Sequence, residues 1–410
     1  MHDGQVKVIT GIRRCGKSTL LFDLFYNYLI ESGVDSKCII GIQLDKRKYA
    51  KYRNPILLSE YVEDIISNKN ENFYLFIDEI QFCHSVEDPD NLGFEITVYD
   101  MLNELKDYKN LDVYVTGSNS GMLSKDISTE FRGRSSEIQV QPFSFAEYHS
   151  AVGGDKRDDF DHYMIYGGMP YLLQLKTNEQ ATQYLSQLFN EVYVKDIVER
   201  HNIARINILD DILNVLSSLT GSLTNPLNIT KSLKSIKNEK LSQNTVSSYL
   251  EYCKDAFLIR EAKRYDVKGK HYFDFPNKYY FADVGLRNAR LGFRQIDPGH
   301  IMENILYNEL IARGFSVDIG VVTDRRKGET RQKEIDFVVN NGAQRAYIQS
   351  AWQMSTDEKI KAELDSLKLT GDFFAKIIIQ NDIPEHFIDE DGILHCSVIE
   401  FLLNPKLMPF

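Results

Sequence analysis

The stretch VKVITGIRRCGKSTLLFDLFYNYLIESG, residues 6–33, decides the fold. A short β-branched apolar run gives way to a loop bounded by glycines, and the loop opens an amphipathic segment of helical character. The loop itself, GIRRCGKS at residues 11–18, fits the pattern GxxxxGK[ST]. Between a strand and a helix, such a loop aims backbone N–H groups and a helix N-terminus at one point, which suits phosphate. Gly11 and Gly16 permit the tight curl, Lys17 is placed to neutralise β- and γ-phosphates, and Ser18 is placed to ligate Mg²⁺. Ile12, Arg13, Arg14, Cys15 and Thr19 complete the expected nucleotide-binding loop, so the cofactors expected are ATP and Mg²⁺.

Sixty-one residues after Lys17, the apolar run FYLFI leads straight into Asp78 and Glu79. Carboxylates at the C-terminal end of a buried parallel strand sit where open α/β sheets hold their ligands. Asp78 is expected to hold the metal, and Glu79 to polarise an attacking water. The next apolar run, DVYVTGSNS, ends in Ser118 and Asn119. Two readings of that pair stay open, a sensor of the γ-phosphate or a helix N-cap. Arg132 and Arg134 in EFRGRSSEI likewise read either as a finger on the transferred phosphate, with Arg134 the stronger candidate, or as surface ion pairs.

Around this core, residues 1–145 alternate β-branched runs with amphipathic stretches, the rhythm of a parallel sheet covered by helices. Residues 146–204 lose the strands and read as a small helical lid. Residues 205–295 give three helical stretches and then FLIREAKRYDVKGKHYF, two strands joined by a basic turn, the order of a winged helix-turn-helix. Residues 296–410 read as a second, smaller α/β domain. The division into several domains agrees with a length of 410 residues.

The net charge is −11, which argues against a uniformly basic, nucleic-acid-attracting surface. Within residues 201–290, however, 14 Lys and Arg outnumber 9 Asp and Glu, leaving +5 there and −16 on the remainder. Gln243, Asn244, Ser247 and Ser248, with Arg264, Lys268 and Lys270 on the hairpin, would be the groups facing double-stranded DNA. An interaction module for a protein partner, or for self-association, is the equal alternative. The five cysteines, Cys15, Cys38, Cys83, Cys253 and Cys396, are scattered and read as reduced. No apolar run is long enough to span a membrane, and a cytoplasmic location is expected.

Taken together, GIRRCGKSTLL, FIDEIQ, VYVTGSNSGMLS, FRGR, PFSFAEY, YGGMPYLL and KYYFADVGLRN resemble the signatures of a prokaryotic family of AAA-superfamily ATPases whose C-terminal half is a domain of unknown function. The resemblance covers almost the whole chain. It implies a P-loop NTPase domain of AAA type, a helical lid, a winged helix, and a degenerate restriction-endonuclease-like α/β domain. It also implies that Gly168 and Pro170 in the turn YGGMP pack on the nucleotide. Family members carry a helix and a short loop ahead of the first strand, where MHDGQ stands here, so a start short of the family's is expected, with adenine binding weakened.

In the nuclease-like fold a helix glutamate, a strand aspartate and an ExK triplet hold a metal. Glu303 and Asp336 match the first two, but the triplet position reads Gln349, Ser350, Ala351. Without a second carboxylate and the lysine, cleavage is not expected unless Glu334 compensates. The function expected is a Mg²⁺-dependent ATPase coupling nucleotide state to a DNA or protein partner. The alternatives are a nucleotide-gated signalling or defence switch with little turnover and, third, an ATP-regulated nuclease.

Overall fold

A computed structural model describes residues 2–67, 71–117, 135–237, 241–294, 296–324, 331–354, 357–381 and 383–410. It divides into two compact units, residues 1–141 with 255–257, and residues 142–254 with 258–410.

In unit 1 the strands are β1 (Val6–Thr10), β2 (Ile39–Gln43), β3 (Phe73–Asp78), a short ribbon of β4 (Val86–Glu87) and β5 (Glu95–Ile96), β6 (Leu111–Thr116) and β7 (Ser135–Gln139). Five of them form a sheet in the order β2-β3-β6-β1-β7, and every neighbouring pair is parallel. Parallel sheets are covered on both faces, and the sequence shows it: β1, β3 and β6 are buried at every position. On β3, Phe73, Leu75 and Ile77 face the helices Pro55–Ile66 and Val98–Leu105 through Leu58, Val62, Met101 and Leu102. The intervening Tyr74 and Phe76 pack on the other face with Leu21 and Leu29, from the helical run that follows the P-loop. Asn54 caps the first of these helices by accepting from the Ile56 and Leu57 N–H groups, with Pro55 at its first position.

Unit 2 is built on a mixed eight-stranded sheet in the order β14-β15-β13-β12-β11-β10-β8-β9. Its strands are β8 (Ile259–Asp266), β9 (His271–Phe281), β10 (Ser316–Asp324), β11 (Arg331–Asn341), β12 (Gln344–Ala351), β13 (Ala375–Gln380), β14 (Phe387–Ile388) and β15 (Leu394–Ser397). The basic hairpin expected to be a free wing is β8 and β9. It continues this sheet, because β8 pairs parallel with β10 from Arg264 to Asp266. The helices read as a separate lid also belong to unit 2. Phe145, Tyr148, Phe160, Tyr163 and Met164 share one core with Ile301, Ile305, Phe337, Ile348 and Phe401. The physical reason is that aromatic helix faces of this size need apolar surface to cover them, and the C-terminal sheet supplies it.

Among the described residues, no helix is long and apolar enough to cross a membrane. All five cysteines are free, four of them buried and Cys83 half-buried.

Candidate functional site

The carboxyl ends of β1, β3 and β6, which lie side by side, converge on the residues 11–18. The loop leaves β1 through Gly11, whose φ of +138° lies where only glycine is comfortable. A Cβ there would stand 2.2 Å from the Val140 carbonyl oxygen, so the close pass of the chain after β7 demands glycine independently of φ. Gly16, at φ +103°, turns the chain into the helix that starts at Lys17. Lys17 is buried, and its ammonium donates to the carbonyls of Gly11 (2.8 Å) and Ile12 (3.0 Å). The lysine therefore lies folded back over the loop it belongs to. Ile12 and Cys15 are buried, with the Cys15 thiol 3.5 Å from the Val140 carbonyl oxygen, while Arg13 is half-buried and Arg14 and Thr19 are exposed.

One hydrogen-bonded chain ties the three strand ends together. Ser18 Oγ donates to Asp78 Oδ1 at 3.0 Å. Thr116 Oγ1, at the end of β6, donates to the same carboxylate oxygen at 2.5 Å and accepts from the Glu79 backbone N–H at 3.1 Å. Asp78 and Thr116 are both buried. Glu79 adopts a left-handed backbone, φ +54°, and its carboxylate accepts from the Gln81 side-chain amide. Burial lifts the Glu79 pKa above the ordinary carboxylate range, against the pull of Lys17 and the Gln81 bond. A carboxyl raised by burial with a lysine charge acting on it is an environment that general bases share.

The donor set also bears on a metal. A serine hydroxyl and a carboxylate 3.0 Å apart are hard oxygen ligands of the kind Mg²⁺ takes. Among the described residues, no three His, Cys, Asp or Glu side chains converge to hold a metal by themselves. The site therefore suits an ion that arrives with phosphate oxygens of its own.

Ser118, Asn119, Arg132 and Arg134 lie outside the described residues. Gly168 and Pro170 lie in unit 2, where the glycine has a structural reason: its N–H donates to Asp283 (2.7 Å), and a Cβ would stand 2.1 Å from the Phe143 carbonyl oxygen. Thr116 and Val140 were not anticipated; Gln81 stood only as part of the FIDEIQ signature, with no role given to it. For Thr116 the signal was the TGS run, a threonine at a strand end next to the acidic strand.

A five-stranded parallel sheet in the order β2-β3-β6-β1-β7, with a P-loop after β1 and a Ser18–Asp78 hydrogen bond from that loop's helix to the end of β3, defines an AAA-type P-loop domain. Family models agree: an AAA domain matches residues 3–149 and a domain of unknown function (DUF8612) matches residues 157–297. An uncharacterized protein of Haemophilus influenzae is 31% identical over 97% of this chain and 94% of its own length. An uncharacterized protein of Methanocaldococcus jannaschii is 29% identical, over 92% and 82% respectively. The chain belongs to this family of AAA-superfamily ATPases with a C-terminal domain of unknown function. Among solved structures, the Aeropyrum pernix ORC1 protein in complex with DNA aligns over 75% of this chain and 88% of its own, at 10% identity and a TM-score of 0.27, a likeness too slight to bear on function.

Proposed function

We propose that unit 1 binds Mg²⁺·ATP at residues 11–19 and hydrolyses it slowly, and that nucleotide state governs engagement of DNA or a protein partner through residues 205–295. The observation that supports the reading is the chain from Ser18 through Asp78 and Thr116 to Glu79, which links the helix after the P-loop with the ends of β3 and β6 at one point. Backbone N–H groups of the loop and the Lys17 ammonium would take the phosphates, Ser18 and Asp78 would hold the ion, and Glu79 would orient and deprotonate water. A bound ion would supply charge neutralisation on the transferred phosphoryl group. On the partner side, Gln243, Asn244 and Ser248 are exposed on the helix Gln243–Asp255, as are Lys268 and Lys270 at the hairpin turn. Arg264 is half-buried, stacked on Phe273 and bonded to Gln332, so it is a poorer DNA contact than the two lysines.

A second reading, a switch that holds nucleotide with little turnover, is favoured by the Gln81 amide bound to Glu79, which engages the base. ATP turnover by the full chain with and without double-stranded DNA separates the two. DNA stimulation that is lost in Glu79→Gln supports the coupled ATPase. Nucleotide retained through purification with negligible turnover, indifferent to DNA, supports the switch.

A further inference from the structure

Unit 2 buries a second group of charges, and its centre is a lysine. Lys278 lies on β9 in the run KYYFADVGLRN, two residues before Tyr280, so the two side chains leave the same face of the strand. The Lys278 ammonium is 2.8 Å from Glu303 on the helix Pro298–Ala312, 2.7 Å from Glu334 and 3.8 Å from Asp336, both on β11. The Tyr280 hydroxyl donates to the same Glu303 oxygen at 2.5 Å. Side-chain exposure is 4% for Lys278, 9% for Glu303, 11% for Asp336 and 32% for Glu334, so all but the last are removed from water.

The sequence pattern leads one to expect a divalent ion among Glu303, Asp336 and a third ligand on β12. The residues present do not fit one. At the third position Gln349 spends its amide oxygen on the Asp336 N–H (3.2 Å), and Asp336 Oδ2 accepts from the Ser350 N–H (2.7 Å). The space where the three carboxylates approach one another is taken by the ammonium. Burial works against the charge on Lys278, but Glu303, Asp336 and Glu334 outweigh it and hold its pKa above the ordinary lysine value. Burial, with Glu303 adding to it, lifts Asp336 well above the ordinary carboxylate range. His300 also faces the cluster, 4.0 Å from the second Glu303 oxygen.

We propose that Lys278 is the built-in cation of this carboxylate cluster: unit 2 takes no divalent ion there, performs no metal-dependent phosphodiester cleavage, and uses the ion pair to fasten β9 to the helix Pro298–Ala312 and to β11. The role follows from where an uncompensated buried carboxylate would otherwise stand. Removing one member of a buried ion pair strands the other, and the loss is far larger than the net worth of the pair. Unit 2 then engages partners by binding, with the basic hairpin held against the rest of the sheet by a charge and not by a metal. The inference is independent of whether unit 1 turns over ATP.

Two measurements on the nucleotide-free full chain test it. Titration with Mn²⁺, followed by the electron paramagnetic resonance signal of the free ion, should show no stoichiometric site in unit 2. Stoichiometric binding that disappears in Asp336→Asn would overturn the proposal and restore a metal site with Lys278 as its lysine. In scanning calorimetry, Lys278→Met should lower the unit 2 transition by roughly 10 °C. The double variant Lys278→Met/Glu303→Gln, which also removes the most buried of the partner charges, should recover at least half of that shift. Losses that add in the double variant would mean the lysine only fills space. If Lys278→Met does not fold, the double variant decides alone: a folded protein supports the counter-ion role, an unfolded one refutes it.

Discussion

Replacing Thr116 by valine tests how the site is assembled, because the change keeps the shape of a fully buried side chain and removes only its hydroxyl. That hydroxyl makes one bond to the Asp78 carboxylate and receives one from the Glu79 N–H. A hydrogen bond to a charged group is worth about 1.5–3 kcal/mol, and a donor left without an acceptor costs about 1–3 kcal/mol. The two losses overlap and the Glu79 peptide is only partly buried, so a net destabilisation of about 3 kcal/mol is expected. For a unit of this size that is a fall of roughly 10 °C in the unit 1 transition. The one tryptophan, Trp352, lies in unit 2, so calorimetry or circular dichroism is the appropriate probe. Turnover should fall about 10- to 100-fold, since Asp78 loses its orientation and Glu79 its fixed peptide. ATP affinity should change less than about threefold, because no phosphate-binding group is touched. Thr116→Ser, which keeps the hydroxyl, should retain turnover. A Thr116→Val protein within about 0.5 kcal/mol of wild type and unchanged in kcat would refute the chain of bonds proposed to organise the site.

Gly11→Ala should abolish ATP binding by at least about 100-fold in a fluorescent-nucleotide titration, because its Cβ would be forced into the Val140 carbonyl at 2.2 Å. Gly168→Ala should destabilise unit 2 by about 3 kcal/mol in calorimetry, from the 2.1 Å encounter with the Phe143 carbonyl, with ATP binding to unit 1 intact. Asp283 is fully buried, and burial raises its pKa from the ordinary 3.8 to about 6 against the N–H groups of Gly168, Leu286 and Gly285. A raised carboxyl favours the folded state when protonated. Its contribution is fully present below about pH 3.8 and is lost as pH rises through 6, about 3 kcal/mol in all. The unit 2 stability of wild type should therefore fall relative to that of Asp283→Asn between pH 4 and pH 7, and parallel curves would contradict the shift.

The P-loop domain is legible in the sequence because its requirements are local. Two glycines, a lysine and a serine within eight residues force one turn, and an apolar run ending in Asp78 and Glu79 marks a strand end without reference to anything distant. What binds Asp78 from the side is not local. Thr116 lies 38 residues away and Val140 lies 129 residues beyond Gly11, and only the strand order β3-β6-β1-β7 brings them in. The glycines of YGGMP show the converse: a turn that reads as a nucleotide contact carries a structural requirement the sequence hides, set by a carboxylate 115 residues on and by a neighbouring carbonyl. The hairpin 259–281 reads as a wing because its own sequence is a complete hairpin. Its pairing with β10 depends on backbone groups that carry no side-chain signature. Lys278 was hidden for a related reason: its partners stand 25 and more residues along the chain, and a lysine inside an apolar strand gives no hint of which carboxylates it meets.

The most direct test of the central claim is ATP turnover by the purified full chain beside Glu79→Gln, with ATP binding measured on both. Wild-type turnover in the presence of Mg²⁺, lost at least about 100-fold in a variant that still binds ATP, is the expected result. Equal turnover by the two proteins would remove Glu79 as the base and contradict the assignment of hydrolysis to this site.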